Sequence, residues 1–387
     1  MNRSDSPWNL AERTDERAEE ADREVRISDF ALMALLPLRS IGLVGFPLNE
    51  LAMLALVGLC LFRPAKVGAR LQTTVVFLLG ALLVLLAYSG LANHVDWTRR
   101  VGHVGIMAGL IWAFGTGRVS LRSAALGLTA GLITVVGLAV VGIGGDAYAG
   151  RLTGFLGDPN AAAYFIVALG VLAIFFCDAR WWIRLVVAAP LLVGLVLTYS
   201  RTGLLAAAFA LIWILVGRRL GVLSGIALVG ALMWVANNIP ENLTTVGPFS
   251  DRSGSDKLRN RIIAQERVEL ADAPWFGHGP GTAKVSIRDL EFFFHNSYLA
   301  TRQEGGWAAL ILVLALLVYA FLRLSARSRR GDMAAAAAQA AIIAVAVMAI
   351  TLGEVLLDTP MAIAVGFALG QVLMPEPQPI QAKVPDG

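Results

Sequence analysis

Apolar runs of about 15 to 24 residues recur almost from end to end of this chain, each close to the ~20 helical residues that cross ~30 Å of hydrocarbon. A chain built this way has lipid as its solvent. Its backbone must then satisfy its own polar groups as helix, so the expected fold is all-α, a polytopic membrane bundle of about twelve spanning helices. Composition agrees: 57% of the 387 residues are hydrophobic and 16% are charged, with a mean hydropathy of +0.68.

The runs fall near residues 30–47, 48–62, 71–92, 101–115, 123–143, 155–177, 184–199, 203–217, 220–238, 297–322, 334–353 and 359–374. Residues 1–29 are rich in Asp, Glu and Arg and hold no apolar core of signal-peptide length, so they read as a loosely ordered tail. Residues 375–387 form a second tail, and residues 30–374 are the membrane domain. No internal repeat supports an inverted-repeat transporter.

The formal net charge of +4 is dispersed in short clusters between apolar runs instead of forming a stripe for nucleic acid. The clusters report topology. If the N-terminus is cytoplasmic, 13 basic residues fall in cytoplasmic connections: Arg63, Lys66 and Arg70, Arg118 and Arg122, Arg180 and Arg184, Arg218 and Arg219, and Arg323, Arg327, Arg329 and Arg330. The short connections on the other side hold Arg99, Arg100, Arg151 and Arg201. The positive-inside rule therefore places both termini in the cytoplasm.

One connection is long. Residues 239–296 are polar and fall outside the cytoplasm, and that length in a compact bundle argues for function. Within them RNRIIAQERVELADA has the periodicity of a short amphipathic helix, and PWFGHGPG is a turn. Cys60 and Cys177 lie in or at the end of apolar segments and read as small buried hydrophobes.

The outward cations are the chemical signal, although an interfacial Arg often only snorkels. Arg201 sits in TYSRTG, at the tip of a tight helical hairpin. Arg151 precedes RLTGFLGDPNAAAYF, where Asp158 suits an N-cap and Pro159 the first helical position. An Arg beside a helix N-terminus favours a phosphate-like ligand.

His295, one of four His, stands at the outer start of the 297–322 run in FFFHNSYLATRQEGGWAAL. If that helix begins at His295, Arg302 and Gly306 each fall about 20° from it around the axis, while Glu304 points roughly opposite. A neutral imidazole there can act as a general base. The four His show neither ligand spacing nor a carboxylate partner, so no metal and no cofactor are expected. Phosphate-binding glycine loops, GxSxG elbows and CxxC pairs are also missing from the sequence.

From about residue 30 to 374 the chain resembles the O-antigen ligase/polymerase family of bacterial membrane proteins. The matching stretches are RLTGFLGDPNAAA, SRTG, the long loop ending in PWFGHGPG, and HN followed nine residues later by Gly306. The resemblance implies a metal-independent transferase of the inner membrane. It would move a glycan from an undecaprenyl-diphosphate carrier to a sugar hydroxyl of a glycan or glycolipid acceptor, as a ligase or as a polymerase. It implies catalytic roles for Arg201 and His295 and a loop Arg that is either Arg259 or Arg261. With Arg151 and Arg302, these arginines are the expected diphosphate ligands. The alternative is a polyprenyl-lipid transporter or flippase that uses the same cations without chemistry.

Overall fold

A computed structural model describes residues 25–43, 45–66, 72–145, 148, 150–177, 180–220, 227, 230, 253–288 and 290–374. The tails at 1–24 and 375–387 and nearly all of the run at 220–238 lie outside them. The described residues are mostly helical, with two small hairpins. In chain order the helices are α1 Ile27–Leu35, α2 Leu48–Leu61, α3 Thr73–Ala92, α4 Thr98–Gly115, α5 Leu121–Val140 and α6 Pro159–Phe176. They continue as α7 Trp181–Leu197, α8 Arg201–Leu215, α9 Ser253–Glu269, α10 Ser297–Arg329, α11 Met333–Met348 and α12 Thr359–Val372. Strands β1 Gly42–Leu43 and β2 Phe46–Pro47 pair antiparallel, as do β3 Lys284–Ile287 and β4 Leu290–Phe293.

Among the described residues four helices, α3, α5, α6 and α10, are long and apolar enough to cross a membrane, and α2, α7, α8, α11 and α12 are shorter apolar helices. The bundle is thus a membrane protein, but the twelve-span expectation is not met helix for helix. The run at 30–47 gives the nine-residue α1, which stops before Pro37, and then the β1–β2 turn. The ring of Pro37 disfavours helix at the residue before it.

The bundle has two ends. At one end, Arg63 pairs with Asp29 at 2.5 Å, Arg26 and Arg118 join the same network, and Arg327 holds Asp332 at 2.8 Å. Lys66 and Arg327 also meet here, both on Met374. At the other end Ser40 bonds the Phe155 carbonyl, Tyr164 donates to the Val355 carbonyl, and Ser89 donates to the Glu304 carbonyl. This loop end carries α9, the β3–β4 hairpin and the starts of α6, α8, α10 and α12.

The central helix is α6, packed by α5, α7, α8, α11 and α12. Small residues bring the backbones close where hydrocarbon gives no hydrophobic drive. Gly127 and Gly131 of α5 lie against the carbonyls of Phe30 and Ala34, where a Cβ would collide. Seven alanines of α11, Ala335 to Ala338, Ala340, Ala341 and Ala344, are fully buried, and its one polar side chain, Gln339, accepts from Trp213 Nε1 and donates to the Phe321 carbonyl.

Candidate functional site

At the loop end the start of α6 is built as its sequence requires. Asp158 caps the helix by accepting from Asn160 N at 2.8 Å and Ala161 N at 3.0 Å, and Pro159, which has no N–H to satisfy, follows it. The turn between α7 and α8 lies beside it. Ser200 caps α8 through Gly203 N and donates its hydroxyl to Asn160 Oδ1 at 2.9 Å, which ties the two helix starts together. Arg201 is the first residue of α8. Arg151 reaches the same turn, with Nε donating to the Thr198 carbonyl at 2.9 Å. Two helix N-termini and the Arg151 guanidinium therefore share one corner with Arg201, the first residue of α8, a positively polarised setting for an anion.

The loop supplies the opposite wall. Along α9 and the residue that follows it, Arg259, Ile262, Glu266 and Leu270 recur at helical spacing; Ile262, Glu266 and Leu270 are buried and Arg259 is half-buried. Arg261 is exposed, two positions and about 200° around the helix from Arg259. Glu266 Oε1 accepts the backbone N–H of His295 at 2.5 Å, fastening α9 to the start of α10. Burial raises the Glu266 carboxyl above the usual range.

His295 is half-buried. Burial lowers its pKa first, and the positive charge of Arg259 lowers it further; the Phe294 backbone and the Asp158 carboxylate pull the other way. The imidazole thus lies within electrostatic reach of both α9 and the α6 start. Arg259 and Asp158 both act on His295 through their charge, and Asp158 caps the helix start at the corner of Arg151 and Arg201.

Two sequence expectations are corrected here. The helix begins at Ser297, with Asn296 as its cap, so His295 precedes it and has no place on its helical face. The helix also breaks at Gly305 and Gly306, where Gly306 takes φ 69° and ψ −170°. Into that break docks the turn at 275–279, with His278 N donating to the Gln303 carbonyl at 2.7 Å and Asn93 Nδ2 donating to the Gly277 carbonyl at 3.0 Å. Arg302 is consequently directed to the loop. Its Nη2 reaches the Leu270 carbonyl at 3.5 Å, and its guanidinium lies 4.5 Å from the Trp307 ring.

The sequence reading set Glu304 aside and gave Arg100 no role beyond topology. The structure pairs them. Arg100 Nε meets Glu304 Oε2 at 3.1 Å, its Nη1 meets Glu354 at 3.6 Å, and Glu304 Oε1 accepts Gly281 N at 3.1 Å. The separation of 204 positions between Arg100 and Glu304 left no local signal. Glu266 was missed as well, because only folding turns its face toward His295.

No curated protein matches the chain. Residues 185–314 match the family model described as O-antigen ligase. That segment holds Arg201, Arg259, His295 and Arg302; Arg151, Asp158, Arg100 and Glu354 lie outside it. The chain is accordingly a membrane protein that is O-antigen ligase-like over residues 185–314.

Proposed function

We propose that this protein is a bacterial inner-membrane transferase, with both termini cytoplasmic, that moves a glycan from an undecaprenyl-diphosphate carrier to a sugar hydroxyl at the outer surface. The observation that carries this reading is the corner where the α6 and α8 N-termini, Arg151 and Arg201 stand beside Arg259 and His295.

Arg201 and Arg151, with Arg259 from the loop, bind the diphosphate. Guanidinium forks suit phosphate oxygens, and in a site closed to water they stabilise the charge that grows on the leaving group. His295 accepts the acceptor hydroxyl proton. The hydroxyl oxygen forms a bond to the anomeric carbon as the bond from that carbon to phosphate oxygen breaks, and the carrier diphosphate leaves with the electron pair. A buried imidazole next to Arg259 favours the neutral form that a base requires. The reaction asks nothing of a metal, since cationic side chains supply the charge. Arg302 holds the loop against α10 in this account and meets no diphosphate.

The test is transfer in proteoliposomes with a defined lipid-diphosphate glycan and an acceptor saccharide. Arg201→Ala should lower the rate by about 10²–10³, and His295→Ala by about 10²–10⁴. Retained transfer in His295→Ala with loss in Arg201→Ala would remove the base and favour a carrier that binds lipid-linked glycan without chemistry. A ladder of products from lipid-linked repeat units alone marks a polymerase, and a single addition marks a ligase.

A further inference from the structure

A cavity of about 50 Å³ at the loop end is lined by Arg100, Glu304 and Glu354 together with Phe293, Phe294 and the Gly281 turn. Its polar wall is held in place by the rest of the fold. Glu304 is 3% exposed and receives both Arg100 Nε and Gly281 N, so neither its position nor its charge is left to solvent. Glu354 is different: its side chain is 49% exposed and stands at the mouth. Two carboxylates on one guanidinium leave a formal charge of −1, opposite in sign to the corner built from Arg151, Arg201 and Arg259.

The cavity is adjacent to the reacting side chain. Phe294 is buried against it, and His295 follows Phe294 as the chain leaves β4. Phe294 lines the cavity, and the His295 imidazole, one residue on at the bend that follows β4, senses Arg259 and Asp158.

We infer that the Arg100–Glu304–Glu354 cavity is a saccharide subsite that takes the acceptor sugar and presents its hydroxyl to the neighbouring His295. The inference rests on the transferase reading given above. Carboxylates accept from sugar hydroxyls and a guanidinium donates to them, while an aromatic ring covers the C–H face of a pyranose. The space fits a few water-sized groups, which matches a hydroxymethyl arm or two ring hydroxyls with the rest of the ring at the open mouth. The net negative charge of the cavity disfavours a diphosphate there and leaves it to the arginine corner.

Glu354→Gln tests the inference because Glu354 is half exposed and keeps its shape in the amide. Saturation-transfer NMR on the detergent-solubilised protein would use the methyl glycosides of glucose, galactose, mannose and glucosamine as probes. At least one should bind the wild type, and Glu354→Gln should weaken it about tenfold or more. In the transfer assay the same variant should raise the acceptor KM by a similar factor while the donor KM stays within twofold. Equal binding by wild type and variant, binding of no glycoside by the wild type, or a matching rise in donor KM overturns the subsite. Glu354-dependent saccharide binding without any release of carrier diphosphate leaves the subsite standing and sinks the transferase reading.

Discussion

Replacing Gly306 by Ala probes the join between the loop and the bundle. Gly306 has φ 69° and ψ −170°, a region occupied essentially by glycine, and a Cβ placed there overlaps the Trp275 carbonyl and comes within 2.7 Å of Phe276 N. The backbone conformation alone costs an alanine about 1–3 kcal/mol. The carbonyl must also move, and with it a turn held by His278 N on the Gln303 carbonyl and by Asn93 on Gly277. A cost of that size lowers the docked population by about 5- to 150-fold. The turn undocks before the bundle melts, because α10 can relieve the strain by straightening. Amide exchange over residues 275–282 should therefore speed up markedly, and transfer should fall with it. Gly80→Ala in α3 is the control, since its Cβ meets nothing within 4 Å. If Gly306→Ala matches Gly80→Ala in both exchange and transfer, the docking role assigned to the helix break is wrong.

Burial first and the charge of Arg259 second lower the His295 pKa, so the acidic limb of kcat/KM in the wild type should lie below the ordinary histidine range. Arg259→Gln removes that cation and should move the limb to higher pH, besides weakening donor binding; an unmoved limb separates Arg259 from His295. At the opposite end of the bundle, Asp332 binds Arg327, caps α11 through Ala335 N and accepts from Gln371, all buried. Asp332→Ala should destabilise the solubilised protein by about 3–5 kcal/mol, because it strands the buried Arg327 charge, and an unchanged melting temperature refutes this.

Much of the site's scaffold was legible because it is local. Asp158 and Pro159 announce the start of α6 within two residues, and the one-turn spacing of Ile262, Glu266 and Leu270 announces α9. Arg201 was placed at a hairpin tip by the apolar runs on both sides. What was hidden depends on partners far apart in sequence. The α10 run reads as continuous helix, and its break appears only when the 275–279 turn occupies the space beside Gly305 and Gly306. Arg259 and Arg261 are equivalent in sequence, and only the docked α9 turns the first inward. In sequence Arg100 reads only as an outward cation and His103 only as a His without a carboxylate partner, until folding sets Glu304 and Glu354 against the first and Glu50 against the second. Arg302 shows the hazard of helical phase carried across a cap and a break.

The central claim is that carbon–oxygen bond transfer occurs at this corner. Its most direct measure is the release of undecaprenyl diphosphate from a lipid-linked glycan by the purified, reconstituted protein. The account predicts release that requires an acceptor saccharide and falls at least about a hundredfold in Arg201→Ala and in His295→Ala. Movement of intact lipid-linked glycan across the bilayer with no diphosphate released, and no effect of His295→Ala, would contradict it.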